Sequence, residues 1–190
     1  VIIAILVIIM FVFIINGLLT KETTTGKITS KSYFTVYKDN KWGVIDETGN
    51  SVVDPSYAEM IIIPNKKRGV FICTYNINYE TGEYKTKALN EKNEEIFSEY
   101  DKIEAIQNKD ENNNLWYEQN VLKVEKNGKY GLINFEGKSI LPTEYEEITA
   151  VSGIENSFKI KKDGKYGIVD SEGKMVVEPK FADIDVLGKD

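Results

Sequence analysis

At 190 residues, with 42% hydrophobic and 28% charged residues and a formal net charge of −6, the chain has room for one modest globular domain and one further segment. Its lysines and arginines are interleaved with acids rather than clustered, which argues against a phosphate-tracking nucleic-acid surface. Histidine is absent and cysteine occurs once, so histidine-based triads, zinc sites built on histidine or cysteine, and an intrachain disulfide are all excluded.

Residues 1–19, VIIAILVIIMFVFIINGLL, contain no charged side chain. As a helix they extend roughly 28 Å, about the thickness of the hydrocarbon core of a bilayer. The run exceeds the roughly 7 to 15 apolar residues of a cleaved signal peptide, and no small-x-small cleavage site follows; an uncleaved transmembrane anchor is expected. Residues 20–32, TKETTTGKITSKS, are polar, threonine-rich and aperiodic, the composition of a flexible stalk. Lys21, Lys27 and Lys31 against Glu22 mildly favour keeping the following domain inside the cell. An N-terminal anchor ahead of a long domain instead reads as a signal anchor that exports it, because long domains translocate largely regardless of flanking charge. The expected arrangement is a single-pass cell-membrane protein with residues 33–190 extracytoplasmic.

From residue 33 onward one phrase recurs. KWGVIDETGNSVVDPSYAEM at 41–60, KYGLINFEGKSILPTEYEEI at 129–148 and KYGIVDSEGKMVVEPKFADI at 165–184 align on Trp42-Gly43, Tyr130-Gly131 and Tyr166-Gly167. The steps from 42 to 130 and from 130 to 166 are 88 and 36 residues. Because 88 is twice 44, a hidden copy is expected with its aromatic position at 86, where KTKALNEKNEEIFSEYDKI (85–103) has Thr86 and Lys87 in place of the aromatic and the glycine. Four units result, about 33–64, 69–107 (degenerate), 115–153 and 157–190 (incomplete). A period in this range marks an architecture in which neighbouring units bury each other's apolar faces.

Within a unit, Phe34 and Val36, Leu122 and Val124, or Phe158 and Ile160 alternate with polar residues in the period of a half-buried strand. Asp39-Asn40, Asn127-Gly128 and Asp163-Gly164 follow, dipeptides that tolerate the positive φ angles of a two-residue hairpin. A second strand ends at Asp46, Asn134 or Asp170, with Gly49, Gly137 or Gly173 three residues on, the pattern of a type I turn closed by a left-handed glycine. A third strand is expected to stop at Pro55, Pro142 or Pro179, since proline has no N–H for a central ladder. Tyr57, Tyr145 or Phe181 then leads into a short fourth strand. Glycine within a strand costs roughly 0.5–1 kcal/mol, so Gly43, Gly131 and Gly167 imply a close approach. The expectation is that the ring of Trp42, Tyr130 or Tyr166 packs over a glycine of a neighbouring strand. The fold class is all-β: tandem antiparallel hairpin or meander repeats in an open array, with a small propeller-like closure as the alternative, preceded by one transmembrane helix.

A Trp-Gly pair followed by a turn glycine, a proline and an aromatic resembles the WG-repeat family of bacterial proteins, over residues 33–190. The carriers are Trp42, Gly43, Gly49, Pro55 and Tyr57, then Tyr130, Gly131, Gly137, Pro142 and Tyr145, then Tyr166, Gly167, Gly173, Pro179 and Phe181. The resemblance implies tandem β repeats, often on secreted or membrane-attached proteins, with no general enzymatic activity attached to the module.

Candidate chemistry is sparse. The acid pairs Asp46-Glu47, Glu94-Glu95 and Glu146-Glu147 could in principle stand at the separation glycosidases use, about 5 to 10 Å, but acids recur at turn and strand-end positions and read as solvated turns. Asp110, Asn112 and Asn114 have the alternate spacing of a calcium loop, yet Leu115 stands where the turn glycine belongs and Val121 where the bidentate glutamate belongs. Residues 108–116 are expected to be a mobile loop between units. Cys73, in GVFICTY, reads as a small buried hydrophobe. Tyr75, Tyr79 and Tyr84 cluster in the second unit; they would suit contact with sugar or a protein partner, or serve as cross-strand pairs of an extended hairpin. No catalytic, metal or cofactor-binding residue is expected. The expected function is that of a membrane-anchored, non-catalytic binding or scaffold module for a protein or cell-surface partner. The alternative is a carbohydrate-acting or carbohydrate-binding cell-surface protein with its site on the second unit.

Overall fold

The computed structural model describes residues 30–185. The apolar run 1–19 and most of the stretch 20–32 lie outside these residues. The end of that stretch already joins the fold, through the Lys31–Glu91 ion pair (2.5 Å) and a hydrogen bond from the Ser32 N–H to Glu47 (3.1 Å). Every regular element among the described residues is a β-strand. The first unit is a meander of β1 (Tyr33–Lys38), β2 (Lys41–Asp46) and β3 (Ser51–Tyr57), and the second of β4 (Phe71–Tyr75), β5 (Lys85–Leu89) and β6 (Glu95–Ile96). β7 (Lys102–Glu104) follows, then a hairpin of β8 (Gln107–Lys109) and β9 (Leu115–Tyr117). The third unit comprises β10 (Leu122–Lys126), β11 (Lys129–Ile133) and β12 (Ser139–Tyr145); β13 (Glu147–Ala150) leads to β14 (Ser157–Lys162), β15 (Lys165–Asp170) and β16 (Met175–Phe181) of the fourth.

Two turn chemistries set these meanders. Asp39 and Asn40 (φ 51° and 60°), Asn127 and Gly128 (53° and 72°), and Asp163 and Gly164 (49° and 71°) reverse the chain between first and second strands, with the backbone twist that a two-residue hairpin requires. Between second and third strands, Asp46 Oδ1 accepts from the N–H groups of Thr48 (2.8 Å) and Asn50 (3.0 Å), while the Gly49 N–H returns to the Asp46 carbonyl (3.1 Å). Asn90, Asn134 and Asp170 make the same set of bonds to the residues two, three and four ahead. A short side-chain acceptor in first position satisfies amides that the turn would otherwise orphan. The fourth position has positive φ, supplied by glycine or, at Asn93 (φ 60°), by asparagine. Asp110 to Asn114 is a further copy, with Asn113 at φ 60°. The segment 108–116 is therefore a hairpin and not the mobile loop expected, and its calcium-like spacing is the acceptor pattern of this turn.

The third strand does not stop at its proline. β3, β12 and β16 run through Pro55, Pro142 and Pro179 to Tyr57, Tyr145 and Phe181, which pair with Trp42, Tyr130 and Tyr166. Since Val44 pairs with Val53 and Trp42 with Tyr57, three residues of β3 face one of β2, and the proline sits in the bulge, where no ladder N–H is needed. This bulge dictates the glycine opposite. A Cβ on Gly43 would lie 2.5 Å from Val53 O and 2.8 Å from Pro55 N, one on Gly131 would lie 2.7 Å from Leu141 O, and one on Gly167 2.8 Å from Pro179 N. Main chain, not the aromatic ring expected from the sequence, makes the close approach.

A fourth strand exists but joins the next sheet: β7 pairs with β10, and β13 with β14, both antiparallel. The end of one unit thus supplies the edge strand of the following one. Between the first and second units this hand-off is a single bridge, Ile62 with Ile72. Strand alternation gives each sheet two apolar faces, and these pair in order along the chain. Tyr33, Val44 and Val53 of the first unit pack against Phe71, Cys73 and Leu89 of the second. Ala88 and Ile103 pack against Leu122, Val124 and Ile133 of the third, and Leu132, Leu141, Tyr145 and Ile148 against Phe158, Ile160 and Val169 of the fourth. Each of these clusters is built mainly from two consecutive units, the last also taking in Ile106 from the end of the second, as in arrays whose stability is a sum of nearest-neighbour terms.

Candidate binding groove

A groove opens where the hand-off thins to one bridge. In the later units the Asp101 N–H reaches Glu125 O and the Glu146 N–H reaches Lys161 O, each at 2.8 Å. Among the described residues no corresponding backbone bond reaches Thr74 O in β4, because after Tyr57 the chain passes Glu59 and Met60 outside strand geometry and meets the sheet at Ile62. The groove has a volume of about 600 Å³. It is lined by apolar Ile72 and Ile103, both buried, with Ile62, Ile77 and the exposed Met60, and by Glu59, Thr74, Tyr84, Glu104, Gln107 and Tyr117.

Thr86 explains why this unit differs. Standing where the other units have an aromatic, it donates to Ile103 O (2.6 Å) and accepts from the Ile103 N–H (2.8 Å). The hydroxyl ties β5 to β7, and the volume a ring would fill is left to the groove that Thr86 lines. Lys87, in place of the glycine, holds its ammonium over the rings of Tyr57 (5.8 Å) and Tyr75 (5.6 Å).

The polar corner of the groove is Glu104. Lys123 Nζ lies 2.8 Å from its Oε2, the Tyr84 hydroxyl donates to Oε1 at 2.9 Å, and Lys102 sits 4.0 Å above the Tyr84 ring. Burial pushes the Glu104 carboxyl up, but the Lys123 bond and charge, with Tyr84 and Lys102, outweigh it and hold it below the usual carboxylate range. Burial, and then the Glu104 carboxylate, push the Tyr84 phenol up to about 12. Near neutrality Glu104 is ionised and Tyr84 protonated. Neither has the poise near working pH that favours general acid–base catalysis.

The three tyrosines of the sequence reading fall on two adjoining surfaces. Tyr84 lines the groove, while Tyr75 and Tyr79 line a neighbouring depression of about 350 Å³ with Tyr57. Thr74 and Ile77 border both. Tyr75 pairs with Lys85 across the β4–β5 hairpin, and the exposed Tyr79 donates to Glu59 (3.0 Å). The repeat-signature residues serve the turns and bulges described above.

Sequence reasoning missed a buried polar pair. Asn108 Nδ2 donates to Glu118 Oε1 (2.8 Å) and to the carbonyls of Val151 and Ile154 (3.2 Å each), and Glu118 Oε2 accepts from the Asn156 N–H (2.9 Å). Together they fasten the β8–β9 hairpin to the β13–β14 loop, beside the buried Trp116 Nε1, which has no hydrogen-bond partner among the described residues. The one signal available was that an inserted hairpin must dock somewhere. Among the described residues no group of Cys, Asp or Glu is arranged to hold a metal ion, and no helix is long and apolar enough to cross a membrane.

A family model described as a WG containing repeat matches residues 42–61, 130–166 and 166–187. No curated protein and no solved structure matches. The matched stretches cover the turn between second and third strands and the bulge in the first, third and fourth units, and the unmatched second unit supplies most of the groove's lining.

Proposed function

Starting from a chain that is a WG-repeat protein, we propose that it acts as a non-catalytic binding or scaffold module: an open array that takes an extended segment of a protein partner into the groove of its second unit. The observation that carries this reading is the open Thr74 edge of β4 beside an apolar lining. A strand laid along that edge would continue the ladder left unfinished by residues 57–60 and set alternate side chains against it. The engagement of Glu104 by Lys123 and Tyr84, and of Glu59 by Tyr79, supports binding over turnover. Among the described residues no strand of the first unit pairs with one of the fourth, which supports an open array over a closed one. Residues 1–19 anchor the module in the cell membrane and residues 20–32 hold it off the extracytoplasmic face; their length and composition support this. Resistance of the full chain to carbonate extraction, with cleavage by protease added to intact cells, is the expected result.

A photo-cross-linking side chain placed at Thr74 of the full chain is expected to trap a protein partner in cells, and Ile77→Glu is expected to abolish the adduct. An adduct unaffected by Ile77→Glu removes the groove from consideration. The exposed Tyr79 ring favours a second reading, carbohydrate binding. Binding to a glycan array that is lost with Tyr79→Ala would establish it in place of the first.

A further inference from the structure

The second unit leaves open a position that every other unit fills with a ring. Where first and second strands pair, Tyr37 faces Trp42, Glu125 faces Tyr130 and Lys161 faces Tyr166, whereas the second unit sets Thr74 against Thr86. A long side chain opposite a ring is thus replaced by two threonines, and both line the groove. Two residues before Thr74 the third and fourth units have lysine, Lys123 and Lys159, with ammonium groups 5.2 and 5.1 Å from the ring centres of Tyr130 and Tyr166. Ile72 holds that place in the second unit and is buried. The slot therefore lacks both a ring of its own and the cation that covers a ring elsewhere.

The groups around the slot suit an aromatic guest with a polar tip. Tyr84 and Tyr117 line the same groove, and aromatic rings pack on one another in offset or edge-to-face contact. Glu104 follows Ile103, to which the Thr86 hydroxyl is bonded, and Glu59 accepts from the Tyr79 hydroxyl through one oxygen, Oε1. An ionised carboxylate offers about four lone-pair sites, so both acids have capacity for a further donor. The fourth unit shows such a pairing made within the chain: the Tyr166 hydroxyl donates to Glu147 at 3.2 Å.

We propose that the groove selects a partner segment by a single tyrosine or tryptophan, whose ring enters the slot formed by Ile72, Thr74 and Thr86 and whose O–H or N–H donates to Glu59 or Glu104. The other three units identify the guest, since each fills the equivalent position with such a ring. Aromatic anchors seated in a pocket carry much of the binding energy of an interface, and two carboxylates in the groove disfavour an acidic anchor. The inference rests on the groove being the site of a protein partner, and names the side chain which that site selects.

The test selects a random-peptide phage library on the full chain in phosphatidylcholine nanodiscs and keeps the clones that fail to bind Ile77→Glu, in which a residue lining the groove is made charged. These clones are expected to share a tyrosine or tryptophan. In a synthetic peptide of the strongest clone, leucine in place of that ring is expected to weaken binding at least about thirty-fold. Thr86→Tyr, which supplies the ring from within the chain, is expected to cause a loss of the same size. Thr86→Ser keeps the hydroxyl and the open slot and is expected to bind as wild type does. The proposal is overturned by an absence of groove clones, the result if another part of the chain occupies the slot, or by groove clones without a common ring. A peptide indifferent to leucine, or a Thr86→Tyr chain that melts as wild type does and still binds, overturns it equally. Should Thr86→Tyr fail to fold, the leucine comparison on wild type decides alone. Methylation of the peptide's main-chain nitrogens tests the strand separately. A peptide that needs its ring and tolerates methylation sustains the slot and refutes a strand along β4; one that needs its amides and not its ring does the reverse.

Discussion

Alanine at Gly49 and at Gly173 separates the cost of a turn from the cost of an interface. The two residues close equivalent turns at nearly the same φ, 86° and 83°, and differ in what surrounds them. At Gly49 a Cβ meets open space, so the substitution bears only the left-handed conformational penalty, about 1–2 kcal/mol. At Gly173 the Cβ would lie 2.6 Å from the carbonyl oxygen of Ile140. Backbone cannot swing aside as a side chain can, and overpacking of this kind adds about 1–3 kcal/mol, for a total of roughly 2–5 kcal/mol. Urea unfolding gives the comparison as two midpoints at a common slope. Equal losses at the two positions would refute the reasoning, because the neighbouring unit would then contribute nothing to the requirement for glycine.

Asn108→Ala removes the donor to Glu118 and leaves that buried carboxyl short of a partner, an expected loss of about 2–4 kcal/mol in the same assay. Cys73, whose thiol burial pushes up to about 11, is expected to stay silent toward a thiol reagent at pH 8 until denaturant opens the array; prompt labelling of the folded chain would contradict its place in the first core cluster. For Glu104 the folded pKa lies below its ordinary value of 4.5, so its contribution is present above that value and is lost as pH falls through the folded pKa. Wild type is therefore expected to exceed Glu104→Gln in melting temperature near neutrality and to converge with it in acid, and a gap that widens on acidification would reverse the assignment.

The strands and their reversals were legible because local chemistry alone decides them: alternation as in Phe34 to Val36, then a dipeptide such as Asp163-Gly164. What Pro55 does was not legible. The rule that proline ends a central strand is sound for a regular ladder, and nothing in SVVDPSY announces that the ladder slips and continues to Tyr57. The close approach at Gly43 was inferred correctly in kind and attributed to the wrong partner, since a bulge brings main chain nearer than any ring. The turn at Asp110 escaped notice because its fourth residue is asparagine, although Asn93 in the hidden copy makes the same substitution. The groove had only an indirect signal in Thr86 and Lys87, because it arises from pairing that fails to form between residues 57–60 and β4. Long-range absence of this kind has no local pattern to betray it.

The hand-off of strands bears on how such a chain can lengthen or shorten. Because β13 is born in one unit and hydrogen-bonded in the next, the stretch that repeats along the gene and the block that packs as a sheet are out of phase. A duplication therefore need not respect sheet boundaries. Breakpoints anywhere in the cycle deliver a unit that already carries an outgoing strand and a bare edge waiting for one, provided one whole period is copied. A cut placed at the boundary of the sequence repeat, between β13 and β14, behaves worse, since it strips β14 of its neighbour. Unequal crossing-over can thus change array length without any new interface having to arise.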